Sequence, residues 1–369
     1  DEALRIYQEE TLPALEALGA RREIAVTKGK IADIYQARGE YDEPLRIYQE
    51  ETLPAFEALG ERREVAITRA KIADIYQVRG EFDEALRILQ EETLPAFEAL
   101  GARREIAVNK GKIADICWFR GEFDEALRIR QEETLPVYEA LGDKRSIAIN
   151  KGKIADIYQA RGELDEALRI RQEEEIPVYE ALGDKHSIAA TKGQIADIYR
   201  DRGELDVALR ISQKETLPVY EALGDKRSIA VTKGKIAEIY QDRGEFDEAL
   251  QLHLERLPIS QEMQDIDSIA HIRFSCAQIR LARGDHERGE IQEIFEELAE
   301  AFTLSLKLDH PDGIGATGYL LGQFLLAGGQ LDEAIKVLET AAAAFDKIER
   351  SEQAAQCRTL IDQKQGEKS

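Results

Sequence analysis

Apolar residues recur along this chain at helical spacing. Leu4, Ile6, Tyr7, Leu12, Leu15 and Leu18 form one stripe, and acidic Asp1 and Glu2 suit the start of a helix over residues 1–18. Gly19 closes it as a left-handed cap. Ile24, Ile31, Ile34 and Tyr35 form a second stripe, predicting a helix over 22–37 that Arg38 and Gly39 end. No stretch alternates with period two for long enough to be a strand.

The two-helix pattern then returns. DEALRI or a close variant starts at Asp1, Asp42, Asp83, Asp124, Asp165, Asp206 and Asp247, an interval of 41 residues each time. The block KIADIYQ recurs intact at 30–36, 71–77 and 153–159. A fixed period of this size signals stacked supersecondary units. One helix pair cannot bury its own apolar face, and short connections make neighbours antiparallel. The predicted fold is all-α: a right-handed α–α solenoid of antiparallel helix pairs, about eight in number with the diverged ones. Residues 1–246 hold six near-identical repeats, 247–331 two diverged repeats, and 332–369 a C-terminal half-repeat, a capping helix and a polar tail.

The turn Gly39-Glu40-Tyr41-Asp42-Glu43 and copies such as Gly121-Glu122-Phe123-Asp124-Glu125-Ala126 resemble the turn of a tetratricopeptide repeat. Ile31-Ala32, Tyr35, Gly39 and Ala85 match that family's positions, and Leu321-Gly322, Gly329 and Ala334 match better still. Lys28 and its copies replace the family's early Trp, Pro44 once replaces the Ala, and the period exceeds the usual 34 by seven residues, read as one extra turn per helix. Such long repeats are similar to those of kinesin light chains and of bacterial STAND-ATPase sensor arrays. The resemblance implies a non-catalytic scaffold for a protein or peptide ligand.

Pro13, Pro54, Pro95, Pro136, Pro177 and Pro218 fall inside the first helix of each unit, always after Leu or Ile. Such a proline removes a backbone hydrogen bond, at ~3 kcal/mol. Either the helix kinks or it ends and restarts; the uninterrupted stripe favours a kink.

Charge narrows the partners. The formal net charge is -23, from 73 acidic and 50 basic residues. It repels phosphate backbones and anionic membranes, so neither nucleic acid nor a membrane is an expected partner. Residues 287–300 are the densest acidic run, read as keeping the capping end in solution. Three scattered cysteines, Cys117, Cys276 and Cys357, argue for a reducing, cytoplasmic setting. A first residue in mid-unit, without Met, predicts a piece of a larger protein.

Catalytic patterns are wanting: no Walker loop, GxSxG, HExxH or EF-hand sequence occurs. No catalytic residue, metal ligand or cofactor is therefore expected. Lys28-Gly29-Lys30 and its copies read as solvated lysines around a close-packed glycine. His310-Pro311-Asp312-Gly313-Ile314-Gly315 reads as a long connection. His186, His253, His271, His286 and His310 lack ligand spacing. Paired acids such as Glu9-Glu10, copied in most units, read as a solvated face.

The remaining candidate is a groove. By the tetratricopeptide register its positions are Val26, Gly29, Asp33 and Gln36 with Lys30 beside them, repeating as Lys71, Asp74 and Gln77, as Lys112 and Asp115, and as Lys153, Asp156 and Gln159. Lys235, Asp197 and Glu238 continue the ladders, and Gln194 interrupts the lysines. The two ladders can grip an extended peptide or pair with one another; pairing is the favoured reading for most rungs. The third unit departs with Cys117-Trp118-Phe119, where Trp118 is the chain's one tryptophan. Trp118 and Phe119 either anchor a ligand or refill the volume that Cys117 gives up; both readings stand. Arg200 is a second departure at the matching site. A further variable position, Tyr7, Tyr48, Leu89, Arg130, Arg171, Ser212 and His253, tolerates charge and is expected to be at least partly exposed. The function expected is a recognition module of a larger bacterial signalling or defence protein; the alternative is a stand-alone adaptor controlling a partner enzyme. Near-identical units also invite self-association.

Overall fold

The structure, a computed structural model, describes residues 2–285 and 289–366. Asp1, His286 and the last part of the polar tail lie outside the described residues. The chain divides into two compact units, Asp1–Gly183 and Asp184–Ser369.

The first unit holds α1 (2–17), α2 (Arg21–Ala37), α3 (42–59), α4 (Arg62–Val78), α5 (82–99), α6 (Arg103–Phe119), α7 (123–141), α8 (Lys144–Ala160) and α9 (164–182). The second holds α10 (Lys185–Asp201), α11 (205–223), α12 (Lys226–Asp242), α13 (Phe246–Glu262), α14 (Ile266–Arg283), α15 (Ile291–Lys307), α16 (Pro311–Ala327), α17 (Leu331–Lys347) and α18 (Ser351–Gly366). Glycine turns fold α2 onto α3, α4 onto α5 and so on. Gly39 and Gly80 take φ of 79° and 77°, a left-handed conformation that side chains with a Cβ rarely adopt. Both units are all-α stacks of such hairpins, so the solenoid architecture expected from the repeat is present.

Small residues let the helices close on one another. Ala32, Ala73 and Ala114 of the even helices, and Ala85 and Ala126 of the odd ones, are fully buried in one first-unit core with Ile72, Ile75, Ile113 and Ile116. Each buried isoleucine contributes ~1.5–3 kcal/mol. In the second unit Ile272, Cys276 and Ile279 of α14 pack with Leu250 and Leu257 of α13.

The prolines do not end their helices. Thr11 and Leu12 keep right-handed helical angles, and the Leu12 N–H bonds Tyr7 O, five residues back. A widened π-helical turn, Ile6–Thr11, therefore precedes Pro13. Its copies precede the other five prolines. The cause is an extra residue rather than the proline. Pro54 stands twelve residues after Asp42, and Pro218 twelve after Asp206, but Pro258 stands eleven after Asp247. Around Pro258, α13 is an uninterrupted α-helix. One residue of the 41-residue period is thus a helical insertion that the wide turn absorbs, which the even split of extra turns between two helices did not anticipate.

The segment from His310 is also not a connection. His310 is the N-cap of α16, and Pro311 begins the helix. Its glycines serve packing: a Cβ on Gly315 would fall 2.5 Å from Phe345, and one on Gly322 2.5 Å from Leu338.

Candidate functional site

The even helices carry the two predicted ladders, and these are joined. Lys71 Nζ lies 2.6 Å from Asp33, Lys112 Nζ 2.7 Å from Asp74, and Lys235 Nζ 2.5 Å from Asp197. Each of these three lysines reaches the acid of the preceding hairpin. Desolvation lifts Asp74 and Asp197 above the usual carboxylate range against the pull of their lysines. Exposed pairs of this kind contribute ~0.2–1 kcal/mol each. The first lysines of the Lys-Gly-Lys triplets are paired as well, not merely solvated: Lys28 lies 2.6 Å from Glu51 and Lys110 2.6 Å from Glu133. Gly29 is buried, close to the Thr52 methyl, and is not a groove surface.

The variable position overturns its expectation in every copy but the first, Tyr7, which is half-buried. Tyr48, Leu89, Arg130, Arg171, Ser212 and His253 are all buried. They tolerate charge because the odd helices point them beneath the ladder, where its acids and the glycine carbonyls receive them. The Tyr48 hydroxyl donates to Asp33, and burial together with that carboxylate pushes the phenol well above its ordinary value. Arg130 donates to Gly111 O at 2.8 Å, Asp115 at 2.7 Å and Asn150 at 3.1 Å. Arg171, at 0% exposure, donates to Asp156 and, at 3.0 Å, to Glu175. Glu175 takes the place of a threonine in the other near-identical units, and a Cβ on Gly152 would lie 2.8 Å from it. Glycine is what admits the carboxylate.

These buried arginines reshape the ladder beside Trp118. Because Arg130 already holds Asp115, Lys153 stays 3.6 Å from that carboxylate and 46% exposed. Asp115, Trp118, Phe119, Lys153 and Asp156 line a notch of about 60 Å³. Trp118 packs partly into the core, and its buried indole N–H has no partner among the described residues. Phe119 is 56% exposed, set edge-on to Trp118 at 5.0 Å and stacked on Phe82 at 5.9 Å. Cys117 is buried, and burial raises its thiol to about 11. It stands where other units place a tyrosine hydroxyl that takes a glutamine hydrogen bond, as Gln49 gives Tyr76 at 3.1 Å. Trp118 thus does some refilling while Phe119 stays outside.

The other candidates lie elsewhere. Lys71, Asp74, Gln77 and Lys112 belong to ladder rungs away from the notch, and Gln159 is half-buried. Arg200, in the second unit, is engaged by Glu238 and, at 2.6 Å, by Asp242. In the acidic run, Glu290 pairs with Arg280 and Glu300 with Arg273, both at 2.7 Å, so part of that charge is neutralised internally. No group of three or more His, Cys, Asp or Glu among the described residues is placed to hold a metal. No helix among them is long and apolar enough to cross a membrane.

Tetratricopeptide-repeat profiles match residues 234–266, which run from α12 across its turn through α13, and residues 73–91, across the α4–α5 turn. The chain carries tetratricopeptide repeats. The tetratricopeptide fold extends to solved structures. One is a Signal Transduction ATPase with Numerous Domains (STAND) protein with a tetratricopeptide repeat sensor from Pyrococcus horikoshii: 15% identity, TM-score 0.60, 97% of this chain and 55% of that one. Aspartyl phosphate phosphatase F from Bacillus subtilis is similar at 14% identity and TM-score 0.54, over 98% of this chain and 91% of that one. A Rap protein complexed with competence and sporulation factor is similar at 14% identity and TM-score 0.50, over 94% and 98%. At these identities the likeness is one of fold. A search of curated protein sequences finds no match.

The site missed from sequence is the buried variable position. A signal existed: beside Arg171 the chain has Glu175 where the other near-identical units have threonine.

Proposed function

We propose that this tetratricopeptide chain is a non-catalytic scaffold that binds a protein or peptide, and that Trp118, Phe119 and Lys153 form its anchor point in the first unit. The observation that carries the reading is the notch itself. At Lys71, Lys112 and Lys235 lysine and acid satisfy one another, but here Lys153 is held loosely beside an exposed aromatic ring. An apolar side chain against Phe119, followed by a carboxylate at Lys153, matches that pairing of surfaces. The finer reading is a recognition module of a larger signalling protein. It is supported by the match of nearly the whole chain to about half of a STAND protein that has such a sensor.

Trp118 is the chain's only tryptophan, so its fluorescence reports on this notch alone. The test is affinity capture from the source lysate with wild type and with W118A/F119A, matched for helicity by circular dichroism. Captured protein is identified by mass spectrometry and titrated back against Trp118 fluorescence. The reading expects a ligand lost from the folded variant that shifts Trp118 emission in wild type. A ligand held equally by both forms moves recognition away from the notch.

A further inference from the structure

The second unit contains a larger cavity, of about 440 Å³, lined by α13, α14, α16 and the end of α15. Its size falls in the range of small-molecule sites. Arg256 of α13 is at its wall and is 7% exposed. Unlike Arg130 and Arg171, it has no ion pair or hydrogen bond among the described residues, and its Nε is buried without a partner. The guanidinium is nonetheless accommodated: α12 has Gly234 against it, where a Cβ would fall 2.2 Å from Nη1. A buried charge left unpaired is strongly destabilising, and an arginine fork is shaped for a carboxylate or phosphate.

We propose that this cavity binds a small molecule through an oxyanion, a carboxylate or a phosphate group, that pairs with Arg256. The rest of the wall fits such a ligand. His271 and His310 supply imidazoles, and Ser275, a largely buried residue on the wall, has a hydroxyl with no hydrogen bond among the described residues. Asp267 is exposed at the same wall and would repel a second negative group. Asp312 is already engaged by Arg350 at 2.7 Å. The ligand therefore presents its oxyanion to Arg256 and a hydroxyl or ammonium donor to Asp267. Arg256 stands two residues before Pro258, where the six earlier units have threonine or glutamate, so this site belongs to one repeat only. It is independent of the Trp118 notch.

The experiment is isothermal titration of the whole chain in 0.15 M NaCl with inorganic phosphate, glucose 6-phosphate, glutamate and, as a neutral control, glucose. R256Q and S275A are titrated alongside, and every form is melted without ligand. The expected result is that at least one anion binds wild type with a Kd below 1 mM while glucose does not. R256Q should weaken that binding at least tenfold and S275A by a smaller factor. Glucose 6-phosphate or glutamate, whichever binds, tells phosphate from carboxylate. R256Q without ligand should melt no lower than wild type, because it removes an unpaired buried charge; a structural arginine would lower the melt. The proposal is overturned if no anion binds, if R256Q binds as wild type does, or if R256Q melts lower with anion binding intact.

Discussion

Arg171 in the first unit and Arg256 in the second are both buried on odd helices against a glycine-bearing even helix, yet their surroundings are opposite. Arg171 meets two carboxylates, Asp156 and Glu175. Arg256 meets none, and beside it His253 is fully buried with both ring nitrogens unpartnered. The first arrangement closes on itself and is structural. The second leaves donors unused at the wall of a cavity, which is the condition a ligand relieves. The repeat makes the contrast readable: α13 lacks the wide turn of α9, and Arg256 takes the register of Glu175 rather than of Arg171.

The sharpest way to break the comparison is to remove each cation. Arg171→Leu leaves Glu175 buried without its partner, and we expect a loss of roughly 3–5 kcal/mol in urea unfolding of the first unit. Arg171→Leu with Glu175→Leu should recover most of it, since an apolar pair of similar volume carries no desolvation cost. No recovery in the double variant would show that packing, not charge, decides the site.

His253 gives the next effect. Burial, with Arg256 and His271 adding to it, pushes its imidazole down to about 3 from an ordinary 6.5. The folded state then binds fewer protons than the unfolded state between those values, so stability falls as pH drops below about 6.5. Between pH 7 and pH 5 the loss is about 2 kcal/mol. His253→Leu should flatten that slope in hydrogen-exchange measurements on α13. An unchanged slope would assign the acid sensitivity to other groups.

A smaller effect tests the first-unit network. The Thr134 hydroxyl lies 2.9 Å from both Arg130 O and Asn150 Oδ1, and Thr134→Ala should cost ~1 kcal/mol by thermal melting. The smallest effects separate the rungs. Lys112→Ala removes a 2.7 Å pair and should cost up to ~1 kcal/mol, whereas Lys153→Ala removes a 3.6 Å contact and should cost less. Equal costs would mean that Lys153 is bound as tightly as its siblings and would weaken the case for the notch.

Much of this was legible in residue order. The hairpins follow from the apolar stripes at Ile31, Ile34 and Tyr35 and from glycines such as Gly39, because helical periodicity and a left-handed turn are local properties. The ladders were legible for the same reason, since residues at equal register in successive repeats face one another. What misled was Arg130 and Arg171. A charged residue at a variable position usually marks solvent, and only the packed neighbour shows that the charge is received. Arg256 was passed over because a shift of one residue separates it from the threonines it replaces.

By itself, then, the order of residues determined a repeating all-α chain, its turns and the rungs of its ladders, all set by short-range periodicity. Tertiary structure decided which charges are satisfied. Whether a buried arginine meets Asp156 or an open cavity depends on the side chain that a neighbouring helix presents, and at interior dielectric that difference in pairing outweighs any propensity of the residue itself.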